Sequence, residues 1–305
     1  MSSRNFLDAH LNVNWLRPES ALWDAIASST IAQFPILSPS LDLGSGNGIF
    51  SFITAGGAFS LDYDWYRNVN PDGFWDNRDI YDTLTTPPTQ SAIIRPPDHR
   101  IDCALDAKQH LLCQAETLKF YRHVVLANAN HRLPFRDSSF ETVFSNILYW
   151  LDSAEASMKE IKRVLRSGGR SLLCLPDHKF KDYCISYHWR ELNSEALRLL
   201  NRGRSESSRW AVSYSELMDL AKRIGFKVVA HSYYLSPLTL KLWDIGLRPL
   251  SPVLFRMIKK LTEADRLSIK SEWIHILRPF LIELYELDGK SNEQGGYHFV
   301  CLEKQ

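Results

Sequence analysis

Apolar runs in this 305-residue chain are short. None approaches the roughly 20 residues that a membrane-spanning helix needs, so a spanning protein is not expected. Residues Met1 to Leu7 lead into polar sequence rather than the apolar core of a secretory signal, and a cytoplasmic location is the expectation. Neither sign of charge is in excess: Lys and Arg number 36 against 35 Asp and Glu, a formal charge of +1. That balance supplies no basic field for nucleic acid, which is not expected as a partner. Cysteine is scarce and unpatterned, since Cys103, Cys113, Cys174, Cys184 and Cys301 include no C-x-x-C pair. Three of the five lie in apolar runs and read as small buried hydrophobes, so neither a metal site nor a disulfide framework is expected. No internal repeat is visible.

What is present is the composition of a globular protein, 45% hydrophobic and 23% charged, at a length that suits one large domain with elaborations. The stretch that organises the chain runs from Ser40 to Phe50. Leu41 and Leu43 flank Asp42 in a strand-like pattern, and Gly44, Gly46 and Gly48 follow at alternate positions. Such a turn bends sharply and lets a ligand approach the backbone closely. A dinucleotide-binding turn spaces its glycines G-x-G-x-x-G, and here the third comes one residue early. The pattern Asp-x-Gly-x-Gly-x-Gly resembles motif I of the class I S-adenosylmethionine-dependent methyltransferases.

Three further stretches carry the same resemblance. Asn128 to Phe135 ends in Leu133-Pro134-Phe135; Arg136 to Asn146 contains Asp137, Ser139-Phe140 and Ser145-Asn146; Arg163-Val164-Leu165 precedes Gly168-Gly169. Family members carry these elements in this order and at close to this spacing, most closely in the methyltransferase type 11 group. The resemblance implies an α/β fold, a Rossmann-like, doubly wound, mostly parallel seven-stranded sheet whose last strand is antiparallel. The residues agree. Ile101 to Ala107, His123 to Ala127, Phe140 to Phe144 and Ser171 to Leu175 are apolar runs of strand length, Ala154 to Leu165 is an amphipathic helix, and Gly168 and Gly169 are expected to end it. Phe226 to His231 and Gly296 to Leu302 read as the sixth and last strands.

The resemblance also implies S-adenosyl-L-methionine as cofactor. Its expected contacts are Asp42, Gly44, Ser45, Gly46 and Gly48, then Asp106 at the end of the second strand for the ribose hydroxyls, with Asn128 and Asn146 beyond the third and fourth strands. Asp62 and Asp64 rival Asp106 by their offset from the turn. The sequence departs from the family at Asn128, where an acid is usual, and after Asn146, where a Glu-His pair is replaced by Ile147-Leu148.

Three elaborations flank this core within one domain, 1–305. Residues 1–37 form an N-terminal helical cap, with Pro18 expected to start its second helix. The segment from Trp15 to Glu19 reads either as a cover over the cofactor pocket or as ordinary packing. Residues 51–100 form an insertion rich in aromatics, either one wall of the substrate site or a surface excursion. Residues 236–290 form a helical insertion that Pro237, Pro249, Pro252 and Pro279 should break into short helices. It reads as a lid for a lipid-like substrate with peripheral membrane contact, or as a layer on the sheet edge. Helices are expected near Trp189 to Leu200 and Ser213 to Ile224, the second with a capping box formed by Ser213 and Glu216.

The expected activity is transfer of a methyl group to a small-molecule or lipid-like acceptor by in-line displacement. The rival is a module that binds S-adenosylmethionine without transferring methyl groups; an RNA methyltransferase lacks the basic patch it would need. A base is required where the acceptor arrives protonated, and His131, Tyr149 and His178 are the candidates.

Overall fold

The computed structural model describes residues 3–69, 80–82, 84–188 and 210–305. In chain order the strands are β1 (Ser40–Leu43), β2 (Ala58–Phe59), β3 (Ile93–Arg95), β4 (Ile101–Asp106), β5 (Tyr121–Leu126), β6 (Phe140–Ser145), β7 (Leu165–Pro176), β8 (Phe226–Tyr234) and β9 (Tyr297–Lys304). The helices are α1 (Ser3–Val13), α2 (Pro18–Ile31), α3 (Ile49–Thr54), α4 (Gln109–Thr117), α5 (Ala154–Val164), α6 (Phe180–Tyr183), α7 (Ile185–His188), α8 (Tyr214–Ile224), α9 (Pro237–Ile245), α10 (Ser251–Ile258) and α11 (Glu263–Lys290). The helix expected near Trp189 to Leu200 lies outside the described residues.

Seven strands form one sheet in the order β5-β4-β1-β6-β7-β9-β8. Its pairs from β5 to β7 are parallel, and β9 runs antiparallel to both neighbours. This is the doubly wound, mostly parallel sheet expected from the sequence. Because strand side chains alternate in direction, each strand feeds two cores. Val143, Leu173 and Leu175 pack with Met158 and Ile161 of α5 and Leu217 of α8, while Phe144, Leu172 and Phe299 pack with α1, α2 and α3. Ser213 caps α8 in a reciprocal capping box with Glu216, as the spacing predicts.

Two local expectations are corrected. Gly168 and Gly169 do not end α5, which stops at Val164; Leu165 is already extended and pairs with Phe140. The pairing resumes at Arg170 with Thr142, so the glycines sit in a bulge of β7. Gly168 has φ +77°, and a Cβ on Gly169 would lie 3.0 Å from the Arg166 carbonyl oxygen and 3.1 Å from that of Glu141. The second correction concerns Pro279, which lies inside the 28-residue α11 and does not break it. The helix packs on α1 and α2, and Arg278 beside the proline donates to Asp8 Oδ1 of α1 at 2.6 Å. Packing along both halves outweighs the few kcal/mol that an internal proline costs.

Helix α11 of the insertion therefore covers the N-terminal helices, while Leu240 of α9 packs beside Gly296 at the start of β9. The two-stranded sheet of β2 and β3 and the aromatic segment that follows β2 join the same layer. Asn12 donates to the Phe59 carbonyl at 2.9 Å, and Lys270 of α11 donates to the carbonyls of Leu61 and Tyr63 at 2.8 and 2.6 Å. At the centre lies Asp64. Its Oδ1 accepts from the Trp15 indole at 3.1 Å and its Oδ2 from Arg266 Nε at 2.9 Å. Arg266 is 8% exposed, so removing either partner strands a charge in the interior. Arg266→Ala is expected to destabilise the protein by about 3 kcal/mol. A double-mutant cycle with Asp64→Ala in urea denaturation should show strong coupling; simple additivity would refute the assignment.

Candidate functional site

β1 ends in a turn whose three glycines all have positive φ: +82° at Gly44, +56° at Gly46 and +77° at Gly48. The turn is pinned to β4. Gly44 and Ser45 donate their N–H groups to the Leu105 carbonyl at 2.8 and 3.1 Å. Asp106, at the end of β4, accepts from Gly46 N at 2.9 Å through one carboxylate oxygen and from Lys108 N at 2.9 Å through the other. Of the two rival acids, Asp64 is taken up by Arg266 and Trp15, and Asp62 bonds Ser60 in the exposed turn that follows β2.

The glycines differ in what they face. A Cβ on Gly44 would strike the side chain of Ile147, at 2.3 Å, and one on Gly48 the ring of Tyr121, at 2.7 Å. At Gly46 nothing lies within 4 Å. Gly44 and Gly48 thus serve packing, and Gly46 opens on free space. Beside it, the Ser45 hydroxyl and the Asn47 side-chain amide nitrogen are buried with no hydrogen-bond partner. Buried polar atoms ordinarily find partners, and these two find none within the chain.

Asp42 supports the turn from within the sheet. Its Oδ2 accepts from the Ser51 hydroxyl at 2.6 Å and from the Tyr121 hydroxyl at 2.7 Å, and burial pushes its carboxyl up to about 6 against those two donors.

Asn146 follows β6 and Tyr149 lies just beyond it. With Trp23, Asp24, Ala27 and Ile31 of α2, Phe50, Cys174, Tyr234 and Tyr297, they line a small cavity of about 30 Å³ at the carboxyl ends of β6, β7 and β8. Ligands of doubly wound sheets bind at this end. Asn128 and His131 are exposed on the loop after β5, where Asn128 Oδ1 accepts from Asn130 N at 2.9 Å. His178 is exposed beside Asp177, its Nδ1 3.2 Å from Asp177 Oδ1, and does not line the cavity. Of the three candidate bases only Tyr149 reaches the cavity. Burial pushes its phenol up to about 12, which keeps it protonated near neutrality.

The cavity was not legible in the sequence. Trp23 and Asp24 lie in a helix that reads as packing, and Tyr234 and Tyr297 end one strand and begin another. The single available signal was Asp24, an acid between Trp23 and Ala25 in an otherwise apolar turn of α2. Its carboxyl is pushed up to about 7 by burial, opposed by the charge of Arg17 and by the Asn14 amide, which donates to it at 3.2 Å.

Residues 100–173 match the family described as methyltransferase domain. The match spans β4 through most of β7, the part of the sheet that carries Asp106 and Asn146. Over those residues the chain is similar to a methyltransferase domain. No curated protein matches the chain. Among solved structures it is similar to a SAM-dependent methyltransferase of Thermotoga maritima, at 12% identity over 99% of this chain and 97% of that one, with a TM-score of 0.47. It is similar also to an S-adenosylmethionine-dependent methyltransferase of Mesorhizobium loti, at 13% identity over 90% and 96%, TM-score 0.44. A third is the [4+2]-cyclase SpnF, at 12% identity over 94% and 82%, TM-score 0.48. At such values these likenesses carry no argument about what the chain acts on. Among the described residues no helix is long and apolar enough to cross a membrane.

Because the folded state holds the Asp42 carboxyl near 6 and the unfolded chain near 3.8, Asp42 favours folding below pH 4 and loses that contribution as pH rises through 6. Asp42→Asn removes the penalty of the buried charge. Relative to wild type the variant should gain about 2 kcal/mol between pH 4 and pH 7, read from denaturant midpoints. A stability difference that does not move with pH would contradict this reading.

Proposed function

We propose that the protein is an S-adenosylmethionine-dependent methyltransferase that acts on a small-molecule or lipid-like acceptor seated in the cavity between α2 and the carboxyl ends of β6 to β8. The observation that carries the reading is the shelf above Gly46. Gly46 faces open space, its N–H is held by the Asp106 carboxylate, and its neighbours Ser45 and Asn47 carry unpartnered buried polar atoms, at the same sheet end as the cavity. Asp106 suits ribose hydroxyls, because a carboxylate oxygen accepts more than one donor. Ser45 and Asn47 are placed to satisfy polar groups of the bound cofactor, and Asn146 lines the cavity beside them. The cofactor supplies an activated methyl group, and the chain's own residues hold the acceptor in line with it and exclude water. The aromatic lining serves the second task.

The rival, a binding module without transfer, is favoured by one observation, the small volume of the cavity. Incubation with methyl-labelled S-adenosylmethionine and small-molecule extract fractions separates the two. Label is expected in a fraction of low molecular mass. Binding of S-adenosylhomocysteine without any transfer would establish the module instead. Asp106→Ala is expected to weaken S-adenosylhomocysteine binding at least tenfold in calorimetry with an unchanged circular dichroism spectrum; unaltered affinity would remove Asp106 from the site.

A further inference from the structure

The cavity differs from the rest of the core in its electrostatics. Trp23, Phe50, Tyr149, Tyr234 and Tyr297 line it together with a single carboxylate, Asp24, and no Lys, Arg or His is among its lining residues. The rings are held nearly perpendicular: Tyr297 meets Trp23 at 80° and 4.8 Å and Tyr149 at 89° and 6.0 Å. An aromatic ring carries a quadrupole whose negative end is its face, so a lining of five rings is an environment that suits a cation.

The charge of Arg17 and the groups behind Asp24 offset its charge only in part. Asn14 on α1 donates one neutral hydrogen bond. His10, also on α1, lies 4.0 Å from the Asp24 carboxylate, but burial pushes its imidazole down to about 3, so it is neutral. Its Nε2 lies 2.8 Å from the Ser28 hydroxyl, itself 2.7 Å from that of Thr54. Arg17 is 3.6 Å from Glu19, which matches its charge. Cys174 and Tyr149 are pushed up to about 12, and Tyr234 and Tyr297 well above the usual phenol range, so all four are neutral. Asp24 is the one group lining the cavity that can carry charge near neutral pH, and 29% of its side-chain surface is open.

A partly buried carboxylate in an aromatic lining that holds no cationic side chain of its own favours a cation. We propose that the methyl acceptor is a small primary or secondary amine whose ammonium head enters this cavity, and that Asp24 accepts the proton that must leave before the nitrogen can be methylated. The inference rests on the methyl-transfer reading above.

The proton moves from R–NH3+ to the Asp24 carboxylate, which becomes neutral and leaves a lone pair on nitrogen. The nitrogen forms its bond to the methyl carbon as the carbon–sulfur bond of the sulfonium breaks, with that electron pair staying on sulfur. The product is R–NH2+–CH3, and Asp24 returns its proton to water. A carboxyl held near 7 is matched to this task at neutral pH. An alcohol can donate a hydrogen bond to the carboxylate but brings no charge to it or to the rings.

Butylammonium and butanol, titrated into protein saturated with S-adenosylhomocysteine and followed by tryptophan fluorescence, test the proposal without turnover. Butylammonium is expected to bind at least tenfold more tightly than butanol. Asp24→Asn should abolish that preference and leave S-adenosylhomocysteine affinity within twofold, which also shows that the variant is folded. In single-turnover transfer to butylamine, the rate should rise through about pH 7 for wild type, and that rise should vanish in Asp24→Asn. Equal binding of butanol and butylammonium by wild type would overturn the proposal, as would a preference that survives Asp24→Asn. Failure of S-adenosylhomocysteine to bind wild type would instead overturn the methyl-transfer reading beneath it.

Discussion

The carboxylate of Asp64 joins three parts of the chain that the sequence keeps far apart. It accepts from Trp15 in the link between α1 and α2, from Tyr66 N within its own insertion and from Arg266 near the start of α11. Water is largely excluded there, so each partner needs the others to remain satisfied. The bond makes one layer of what would otherwise be three appendages. That layer holds α2 against the sheet, and α2 presents Trp23 and Asp24 to the cavity.

The two halves of the site are built on different principles. The cofactor shelf is local: β1, its turn and the end of β4 fix it through backbone bonds from Gly44 and Ser45 to Leu105 and through Asp106 on Gly46. Ile147 and Tyr121 fill the space beside Gly44 and Gly48, which leaves Gly46 as the open position. The proposed acceptor cavity is assembled from distant elements, α2, α3, the segment after β6, β7 and the facing ends of β8 and β9. On the proposed reading, specificity sits with the second half. A shared cofactor needs an unchanging shelf, while an acceptor pocket can change with whatever the elaborations bring to it.

That division explains what could be read from residues alone. The strand-turn from Ser40 to Gly48, the runs at Ile101, His123 and Phe140, and the Ser213 capping box are local patterns, and local patterns survive without a fold around them. The meeting of Trp23, Asp24, Tyr149, Tyr234 and Tyr297 depends on how long segments pack, and no spacing announces it. Gly168 and Gly169 were misleading for a different reason: a helix end and a strand bulge both need a residue at positive φ, and the same glycine serves either. Pro279 shows the limit of a breaker. Its cost is a few kcal/mol, and a helix packed along 28 residues on α1 and α2 absorbs it.

The claim on which the account turns is that the cofactor lies on the shelf above Gly46. Amide hydrogen exchange with and without S-adenosylhomocysteine tests it residue by residue. The account predicts new protection concentrated at 43–49 and 105–108, the turn after β1 and the end of β4. Tight binding with those amides unchanged and protection confined to other strands would contradict it.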